Sequence, residues 1–413
     1  MLFRSDISKI LYGSLWSALH LGGDSAHDAG LGGADFRVTQ VSGIWLEDRA
    51  AQTLLGALEA ESYQAYFVGG CVRNALLGLP VKDLDVATSA RPEVVIKLAK
   101  ELGFKPVPTG LEHGTVTVVG KGSVLEVTTF RKDIETDGRH AVVAFSDRLE
   151  DDAARRDFRM NALYADRSGT VTDPTGGVAD IEARKICFVG APDQRIREDY
   201  LRIVRLFRFA AQLGFGAEGI DPLAAQAAAR LSYGLRHVSI ERQTSEILKL
   251  LGADELMATL SLMQETGVLA RILRGVSLPV LQRFVDFGES EPVARLAALL
   301  VFSGEMPLRL SKKEQRLFDA LRSFAWSTHS GEELAYQTDA LTARKAVFLR
   351  AALAGGVADV SGLEAAAEQH LPLAAKDLPH LSGKALGDAL KHAEKVWIAS
   401  GFTLSKEQLL DEK

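Results

Sequence analysis

The spacing of hydrophobic positions changes along the chain and predicts two structural regions. Between about residues 65 and 131, short β-branched apolar runs alternate with glycine, proline and charged turns, as in strands and short helices. We predict strands over 65–68, 82–86, 113–119 and 123–131, and helices over 47–61, 71–77 and 91–103. From residue 193 onward, apolar residues recur every three or four positions, which is typical of helices, and no strand is predicted. The pattern therefore predicts an α+β protein with a small mixed sheet followed by helices.

Two further segments lie between these regions. Residues 132–147 contain Gly138 and many charged residues, and we interpret them as a loop. Residues 150–163 begin with acidic residues and continue with arginines, an order that favours one helix.

The segment 193–213 predicts one continuous amphipathic helix that packs its apolar face against the sheet region. Its other face carries a basic stripe with a spacing of three, formed by Arg202, Arg205 and Arg208. Such a stripe is usually a solvated helix face. Five arginines against two acidic residues between 195 and 208 also leave a local excess of positive charge.

Composition is that of an ordinary globular protein. The 413 residues suffice for two to four domains, with 47% hydrophobic and 25% charged residues. A net charge of −6 argues against a nucleic-acid-binding protein that is basic overall. It does not exclude one that binds nucleic acid through a local basic surface. Cys71 and Cys187 have no metal-ligand spacing, and we interpret them as free or buried thiols of a cytoplasmic protein.

Residues 1–44 differ from the rest, being rich in glycine, serine, alanine and histidine. Their apolar patch, 10–21, is interrupted and too short to span a bilayer. We expect a poorly ordered leader, or a start codon assigned too early, with the globular pattern beginning near Ile44. A signal peptide is the alternative, because Arg4 and Lys9 precede the patch.

Candidate chemistry is concentrated at residues 68–88. The pair Gly69-Gly70 lies between a predicted strand and a predicted helix, where backbone N–H groups can approach a phosphate closely. Asp83 and Asp85 are two residues apart, so on a strand both point to one face. Two carboxylates on one face suit Mg²⁺, which is bound by one or two carboxylates together with substrate phosphates.

Glu126 lies among apolar residues of the predicted strand 123–131, and a buried carboxylate needs a partner. One interpretation is a salt bridge to Arg131 or Lys132. The other is a third carboxylate that faces Asp83 and Asp85 across the sheet.

Four ordered motifs between residues 66 and 241 resemble a known family. They are Gly69-Gly70-x-x-Arg73 with Asp83-x-Asp85, Glu126–Arg131, Arg155-Arg156-Asp157-Phe158 with Asn161-Ala162-Leu163, and Glu198-Asp199-x-x-Arg202 with Arg205 and Arg208. The chain resembles nucleotidyltransferases of the branch that contains CCA-adding tRNA nucleotidyltransferases and bacterial poly(A) polymerases, and looks like the class II CCA-adding family. One departure is Asn74, where the family usually has aspartate; that residue is not a metal ligand in the family scheme.

The resemblance implies a domain order. It predicts a nucleotidyltransferase head over 45–186 after the leader, a helical neck over 187–252, and a helical body and tail over 253–413. The neck would select the nucleobase and bind RNA, and the body and tail would hold tRNA by shape and phosphate contacts.

The resemblance also implies the activity. It is template-independent addition of C, C and A to the 3′ end of tRNA, from CTP and ATP, by two-metal nucleotidyl transfer with Mg²⁺. Asp83, Asp85 and Glu126 would be catalytic, and Asp83 and Asp85 would bind the metal. Nucleotide binding would fall to Gly70, Arg73, Arg156, Asp199, Arg202, Arg205 and Arg208. No membrane and no obligate protein partner is indicated.

Within this scheme Asp199 and Arg202 lie on one helix face and form the protein template. The carboxylate accepts from an exocyclic amine and the guanidinium donates to ring acceptors. Cytosine and adenine both present that edge, whereas uracil and guanine place a carbonyl against the carboxylate.

Three alternatives stay open. A poly(A) polymerase tends to carry a basic run after the Asp-x-Asp helix, whereas residues 107–114 contain neither lysine nor arginine. A CC-adding enzyme is disfavoured by the full-length polar loop at 132–140. An inactive RNA-binding scaffold is disfavoured by the presence of Asp83, Asp85 and Arg156.

Overall fold

The head is built on a seven-stranded mixed sheet. The computed structural model describes residues 39–120, 122–137 and 140–411, and of residues 133–137 and 140–143 it describes only the backbone. The strands are β1 (Ala65–Val68), β2 (Leu84–Thr88), β3 (Lys105–Gly110), β4 (Thr115–Val119), β5 (Val124–Thr129), β6 (Arg131–Asp137), β7 (His140–Phe145), β8 (Tyr164–Ala165) and β9 (Val171–Thr172). The sheet order is β3-β4-β5-β2-β1-β8-β9, in which only β2 and β5 are parallel neighbours. This confirms the predicted α+β class.

Short helices cover this sheet. They are α1 (Arg49–Ala60), α2 (Gly70–Leu76), α3 (Pro92–Glu101), α4 (Leu149–Ala154) and α5 (Gly177–Glu182). The carboxylate of Asp48 accepts from the Ala51 amide at 2.9 Å and caps α1. Leu54, Leu55 and Leu58 of α1 recur at helical spacing and are fully buried, so this face anchors the helix to the core.

The predicted loop at 132–147 is wrong, because β6 and β7 form a separate antiparallel hairpin there. Arg131 pairs with Phe145 and Lys132 with Ala144. A two-stranded ribbon satisfies its backbone hydrogen bonds locally, so a polar sequence does not prevent it. This hairpin follows directly after the end of β5.

The single helix predicted over 150–163 is also wrong. Helix α4 ends at Ala154, and the backbone is extended at Phe158, which pairs with Phe188. Phe158 is fully buried and packs edge-to-face on Phe209, 5.6 Å between ring centroids. The chain leaves the helix where this ring enters the core, and a 3₁₀ turn at Arg159–Asn161 then leads to β8.

The predicted continuous helix over 193–213 is interrupted. It consists of α6 (Pro192–Glu198) and α7 (Leu201–Gln212), separated by Asp199 and Tyr200. Asp199 has extended backbone angles (φ −153°, ψ 105°), and its carboxylate accepts from the Leu201 amide at 3.1 Å. Asp199 therefore satisfies a free amide at the start of α7 instead of continuing α6.

The rest of the chain is helical. After β9, the described residues contain no further strand. The helices are α8 (Pro222–Leu231), α9 (Ile240–Leu251), α10 (Leu256–Glu265), α11 (Val268–Ile272), α12 (Leu278–Asp286), α13 (Pro292–Leu299), α14 (Lys312–Ala325), α15 (Gly331–Gln337), α16 (Ala340–Ala354), α17 (Leu363–Ala367), α18 (Gly383–Ala399) and α19 (Lys406–Asp411). No helix in the described part of the chain is long and apolar enough to cross a membrane.

Buried side chains connect the predicted domains. One cluster runs from Val41 through the head and neck to Ala366, and a smaller one gathers around Trp397 near the C-terminus. The boundaries at residues 186 and 252 therefore stay predictions, since residues from Thr39 onward form one compact unit. Val41, placed in the predicted leader, is 4% exposed and donates to the Gly169 carbonyl at 2.8 Å. The remainder of that leader, residues 1–38, lies outside the described residues.

Candidate active site

A glycine turn joins β1 to α2. Gly69 has φ +74° and ψ −115°, a conformation that side chains disfavour. A Cβ on Gly69 would also lie 3.3 Å from Nη1 of Arg156. The amide of Gly69 donates to the Leu163 carbonyl at 3.0 Å. This hydrogen bond ties the glycine turn to the residue just before β8. The turn opens toward a cavity lined in part by Gly70.

Three carboxylates lie beside this turn. Asp83 precedes β2, Asp85 lies within it, and the parallel pairing of β2 and β5 places Asp85 next to Glu126. Paired residues of neighbouring strands point to the same face. Glu126 is exposed, so the predicted burial of this side chain is wrong; its predicted position facing Asp85 agrees with the strand register.

The carboxyl group of Asp85 has a raised pKa. Burial and the negative charge of Glu126 raise the pKa of Asp85, while Arg156 and Arg73 lower it less. Within the described residues, neither Asp83 nor Asp85 accepts a hydrogen bond or joins an ion pair at its side chain. A bound cation would relieve this repulsion.

The donor set suits a cation shared with a ligand rather than a closed protein site. No group of three His, Cys, Asp or Glu side chains in the described ranges is arranged to hold a metal ion. Two carboxylates that leave positions for phosphate oxygens and water match the preference of Mg²⁺.

A cavity of about 670 Å³ lies between the sheet region and the helices that follow it. Its head wall includes Gly70, Arg73, Asp83 and Asp85, and its other wall includes Gln212 at the end of α7 and residues 252–254 after α9. This volume is typical of small-ligand sites. Four of the predicted site residues therefore share one cavity.

Arg73 carries an incompletely neutralised charge into this cavity. It is 9% exposed, donates to the side-chain oxygens of Asn74 and Asn161, and lies 5.0 Å from the ring centroid of Phe209. Burial and the neighbouring charge of Arg208 lower the pKa of Arg73 to about 10. Since its hydrogen-bond partners are neutral amides, the guanidinium favours an anionic ligand.

Arg156 instead belongs to a buried network. Its guanidinium donates to Asp152 at 2.9 Å and to the Tyr164 hydroxyl at 3.1 Å, and that hydroxyl donates to Asp152 at 2.8 Å. Burial lowers the pKa of Arg156, but the attraction of Asp152 outweighs it and the pKa is raised. Arg156 does not line the cavity and acts on Asp85 through its charge.

The predicted basic stripe of the neck is mostly paired rather than solvated. Arg205 binds Asp157 at 2.6 Å, and Arg208 binds Glu246 and donates to Gln212 at 2.6 Å. The guanidinium carbons of Arg205 and Arg208 lie 5.3 Å and 3.8 Å from the Phe209 ring centroid. Together with Arg73, three guanidinium groups surround this one ring.

The prediction that Asp199 and Arg202 lie together on one helix face is wrong, because the helix breaks between them. Asp199 pairs with Arg242 at 2.6 Å. Arg202 pairs with Glu198 at 2.6 Å and donates to the Arg155 carbonyl at 3.2 Å. Neither residue lines the cavity.

Several residues of this site escaped the sequence analysis. Phe209 is the ring around which the arginines gather, and Asp157, Glu246 and Arg242 supply counter-charges. Burial alone would raise the pKa of Asp157, but Arg205, Asn161 and the Phe158 amide lower it below its usual value. Asp157 belongs to the Arg155-Arg156-Asp157-Phe158 motif, but its pairing with Arg205 has no signal in the sequence. Glu246 and Arg242 have no sequence signal, since their partners lie about 40 residues away.

The sequence of this chain is similar to those of known proteins. A family model described as the poly A polymerase head domain matches residues 65–187, and one described as the probable RNA and SrmB-binding site of polymerase A matches 219–278. The CCA-adding enzyme of Geobacillus kaustophilus is 45% identical over 219 residues, and that of Geobacillus stearothermophilus 44% over 217. These alignments cover 52% of this chain and 52% of each relative, so the chain matches about half the length of these curated proteins.

Solved structures extend the similarity to most of the chain. The Bacillus stearothermophilus CCA-adding enzyme in complex with CTP aligns with a TM-score of 0.68 over 86% of this chain and 93% of that one. The Thermotoga maritima CCA-adding enzyme complexed with tRNA shares the fold, with a TM-score of 0.65 at 18% identity over 91% of this chain and 98% of that one. Because the chain is 31% identical to the first of these structures over nearly its whole length, it belongs to the family of CCA-adding enzymes.

Proposed function

We propose that this protein adds C, C and A to the 3′ end of tRNA, using CTP and ATP and releasing pyrophosphate. The observation that carries the proposal is the cavity that joins Asp83 and Asp85 to Gly70 and Arg73. Carboxylates for a cation and a buried guanidinium for phosphates are the groups that nucleotidyl transfer requires. The relatives, which are CCA-adding enzymes, support the choice of substrate.

We propose Mg²⁺ as the cofactor, held by Asp83 and Asp85, with Glu126 as a third carboxylate close to it. When bound, Mg²⁺ supplies positive charge for the attacking 3′-hydroxyl and for the triphosphate. The unpaired carboxylates and the raised pKa of Asp85 support this assignment.

The triphosphate is assigned to the head glycine turn and to the arginines around Phe209. Gly70 lets the backbone approach phosphate oxygens, and Arg73 supplies a buried positive charge. Arg205 and Arg208 add to the positive field that depresses the pKa of Arg73, and they hold Phe209 against it. Arg156 supports the Gly69 turn and the ionised form of Asp85.

Asp199 and Arg202 are proposed to select the base across the helix break. Arg242 and Glu198 hold the two side chains in place. Among the described residues, Nε of Arg202 has no acceptor, and a carboxylate with two oxygens accepts further bonds beyond those from Arg242 and Leu201. Both residues therefore retain hydrogen-bonding capacity toward a base edge.

Poly(A) addition is the second candidate, because the matched family model describes a poly A polymerase head. The β3 region and its turn, residues 105–114, contain one lysine and no arginine, which favours CCA addition.

We place the protein in the cytoplasm, since its two cysteines are free thiols.

The decisive experiment offers tRNA lacking its terminal CCA to the purified protein, with CTP, ATP and Mg²⁺, and sequences the product. A product ending in CCA is expected. A run of A supports poly(A) addition, a product ending in CC supports the CC-adding alternative, and no extension contradicts nucleotidyl transfer. Asp83→Ala is the control and should abolish extension while the melting temperature stays unchanged.

A further inference from the structure

An exposed aromatic group lies at the start of α7, outside the cavity. Tyr200 follows Asp199 at the helix break, and its ring centroid lies 6.3 Å from that of Tyr233 and 6.2 Å from that of His237. We call these three residues the aromatic patch. None of them takes part in the roles assigned above.

The backbone holds this patch in position. A Cβ on Gly234 would lie 2.0 Å from the Tyr200 ring, so the ring rests directly on the Gly234 backbone. Gly234 belongs to a 3₁₀ turn, 232–237, that buries Leu235 and turns Tyr233 outward. Tyr233 is nonetheless 44% exposed. The backbone thus fixes the Tyr200 ring, and the neighbouring Tyr233 ring is open to solvent, an arrangement that suits stacking on a flat ligand.

Positive charge flanks the patch. Arg197 and Arg236 are exposed and act on the Tyr200 hydroxyl, lowering a pKa that burial and Tyr233 together raise. Neither arginine has a carboxylate partner within the described part of the chain; Arg236 donates to His237. The nearby carboxylates are already neutralised, in the pairs Asp193–Arg230, Glu198–Arg195 and Asp199–Arg242. The surface is therefore locally basic in a chain of net charge −6.

We propose that the aromatic patch stacks on an unpaired base at the 3′ end of the RNA substrate, while Arg197 and Arg236 contact its phosphates. Unpaired bases stack on aromatic side chains, and guanidinium groups bind phosphates. An apolar protein partner does not fit a surface bordered by two uncompensated guanidinium groups. This inference rests on the proposed function, because it assigns that reaction's RNA substrate.

The test compares full-length wild type, Tyr233→Ala, Tyr233→Phe and Leu223→Ala. Leu223 is 64% exposed on the neighbouring α8 and serves as the matched non-aromatic control. Tyr233→Ala should raise the KM for tRNA lacking its CCA end about tenfold more than it raises the KM for CTP. Tyr233→Phe keeps the ring and should bring the KM for tRNA back within about threefold of wild type. Leu223→Ala should resemble wild type.

A second measurement tests the charges. Arg197→Gln should reduce the slope of log Kd for tRNA against log salt by about one. The patch is contradicted if Tyr233→Ala leaves the KM for tRNA within twofold of wild type. It is reassigned to the incoming nucleotide, and the proposal overturned, if the KM for CTP rises equally. If wild type itself fails to extend tRNA with CTP, the proposed function fails instead.

Discussion

At the scale of single residues, the pKa values of two aspartates in the head are shifted in opposite directions. Burial and Glu126 raise the pKa of Asp85, whereas Arg156 and Arg155 outweigh burial and lower the pKa of Asp152. Because the raised pKa makes ionisation of Asp85 less favourable in the folded state than in the unfolded state, this ionisation costs stability as the pH rises from the usual pKa of 3.8 through the raised pKa. Asp152 has the opposite effect, because its pKa is lowered. Its ionised form stabilises the fold above its usual pKa, and this stabilisation is lost as the pH falls through the lowered pKa.

Asp85→Asn should therefore be inactive yet melt at a higher temperature than wild type at pH 7. The difference in melting temperature should disappear as the pH approaches 3.8, where the cost of ionisation is absent. Asp152→Asn is the matched control, and it should lose about 3 kcal/mol at pH 7, because it leaves buried arginine charge uncompensated. Thermal unfolding against pH measures both; a lower melting temperature for Asp85→Asn at pH 7 contradicts the electrostatic account.

Asp199→Ala should change which base is incorporated. Loss of its carboxylate removes the acceptor that penalises a carbonyl edge, worth roughly 1.5–3 kcal/mol. The ratio of CTP to UTP incorporation should fall by about ten- to a hundredfold. Arg202→Ala should lower the use of both CTP and ATP.

Arg242→Ala controls for the loss of the Asp199 ion pair. It leaves the Asp199 carboxylate bonded to the Leu201 amide, so the CTP to UTP ratio should change less than in Asp199→Ala. If all these variants lose rate equally with the ratio unchanged, Asp199 only supports the helix break.

At the scale of elements, the turn between β1 and α2 forms part of the cavity wall, through Gly70. Gly69→Ala forces a side chain into a backbone conformation that glycine alone adopts readily, and toward Arg156. Such strain costs about 1–3 kcal/mol, so the melting temperature and the activity should both fall. Gly387→Ala is the control, because that glycine lies within α18 with open space at its Cβ and should gain about 1 kcal/mol. A stable, active Gly69→Ala protein would show that the turn tolerates a side chain.

Two of the mispredicted elements, the helices over 193–213 and 150–163, share one physical cause. Helical periodicity runs through residues 193–213, yet Asp199 leaves the helix to accept from Leu201 and Arg242. The arginines of 150–163 suggested one helix, yet Phe158 leaves it to enter the core. In both cases, contacts with residues far along the chain, Arg242 for Asp199 and Phe209 for Phe158, outweighed local propensity.

At the scale of the whole molecule, the start of the compact unit lies before the predicted boundary. Gln40 pairs with Thr170 and Val41 is buried, so a protein beginning at residue 39 should keep the wild-type melting temperature and activity. A protein beginning at residue 45 should melt lower, because it loses the Val41 contacts with Gly169. Loss of activity in the first truncation would give residues 1–38 a role.

RNA affinity should depend steeply on salt although the chain is acidic overall. Local arginines release counterions when they bind phosphates, so the Kd for tRNA should rise by at least tenfold between 50 and 200 mM salt. Titrations of labelled tRNA at several salt concentrations give the slope. A Kd independent of salt contradicts recognition through phosphates.

The sequence by itself determined the α+β class, the order of sheet before helices, and the glycine turn followed by Asp83 and Asp85. These follow from periodicity and short spacings, which act over a few residues. Only the tertiary structure decided that Glu126 is exposed beside Asp85, that Arg73, Arg205 and Arg208 meet at Phe209, and that Asp199 and Arg202 pair with other residues. Those arrangements depend on partners far apart in the chain, and charge pairing and burial across such distances are set by packing rather than by local pattern.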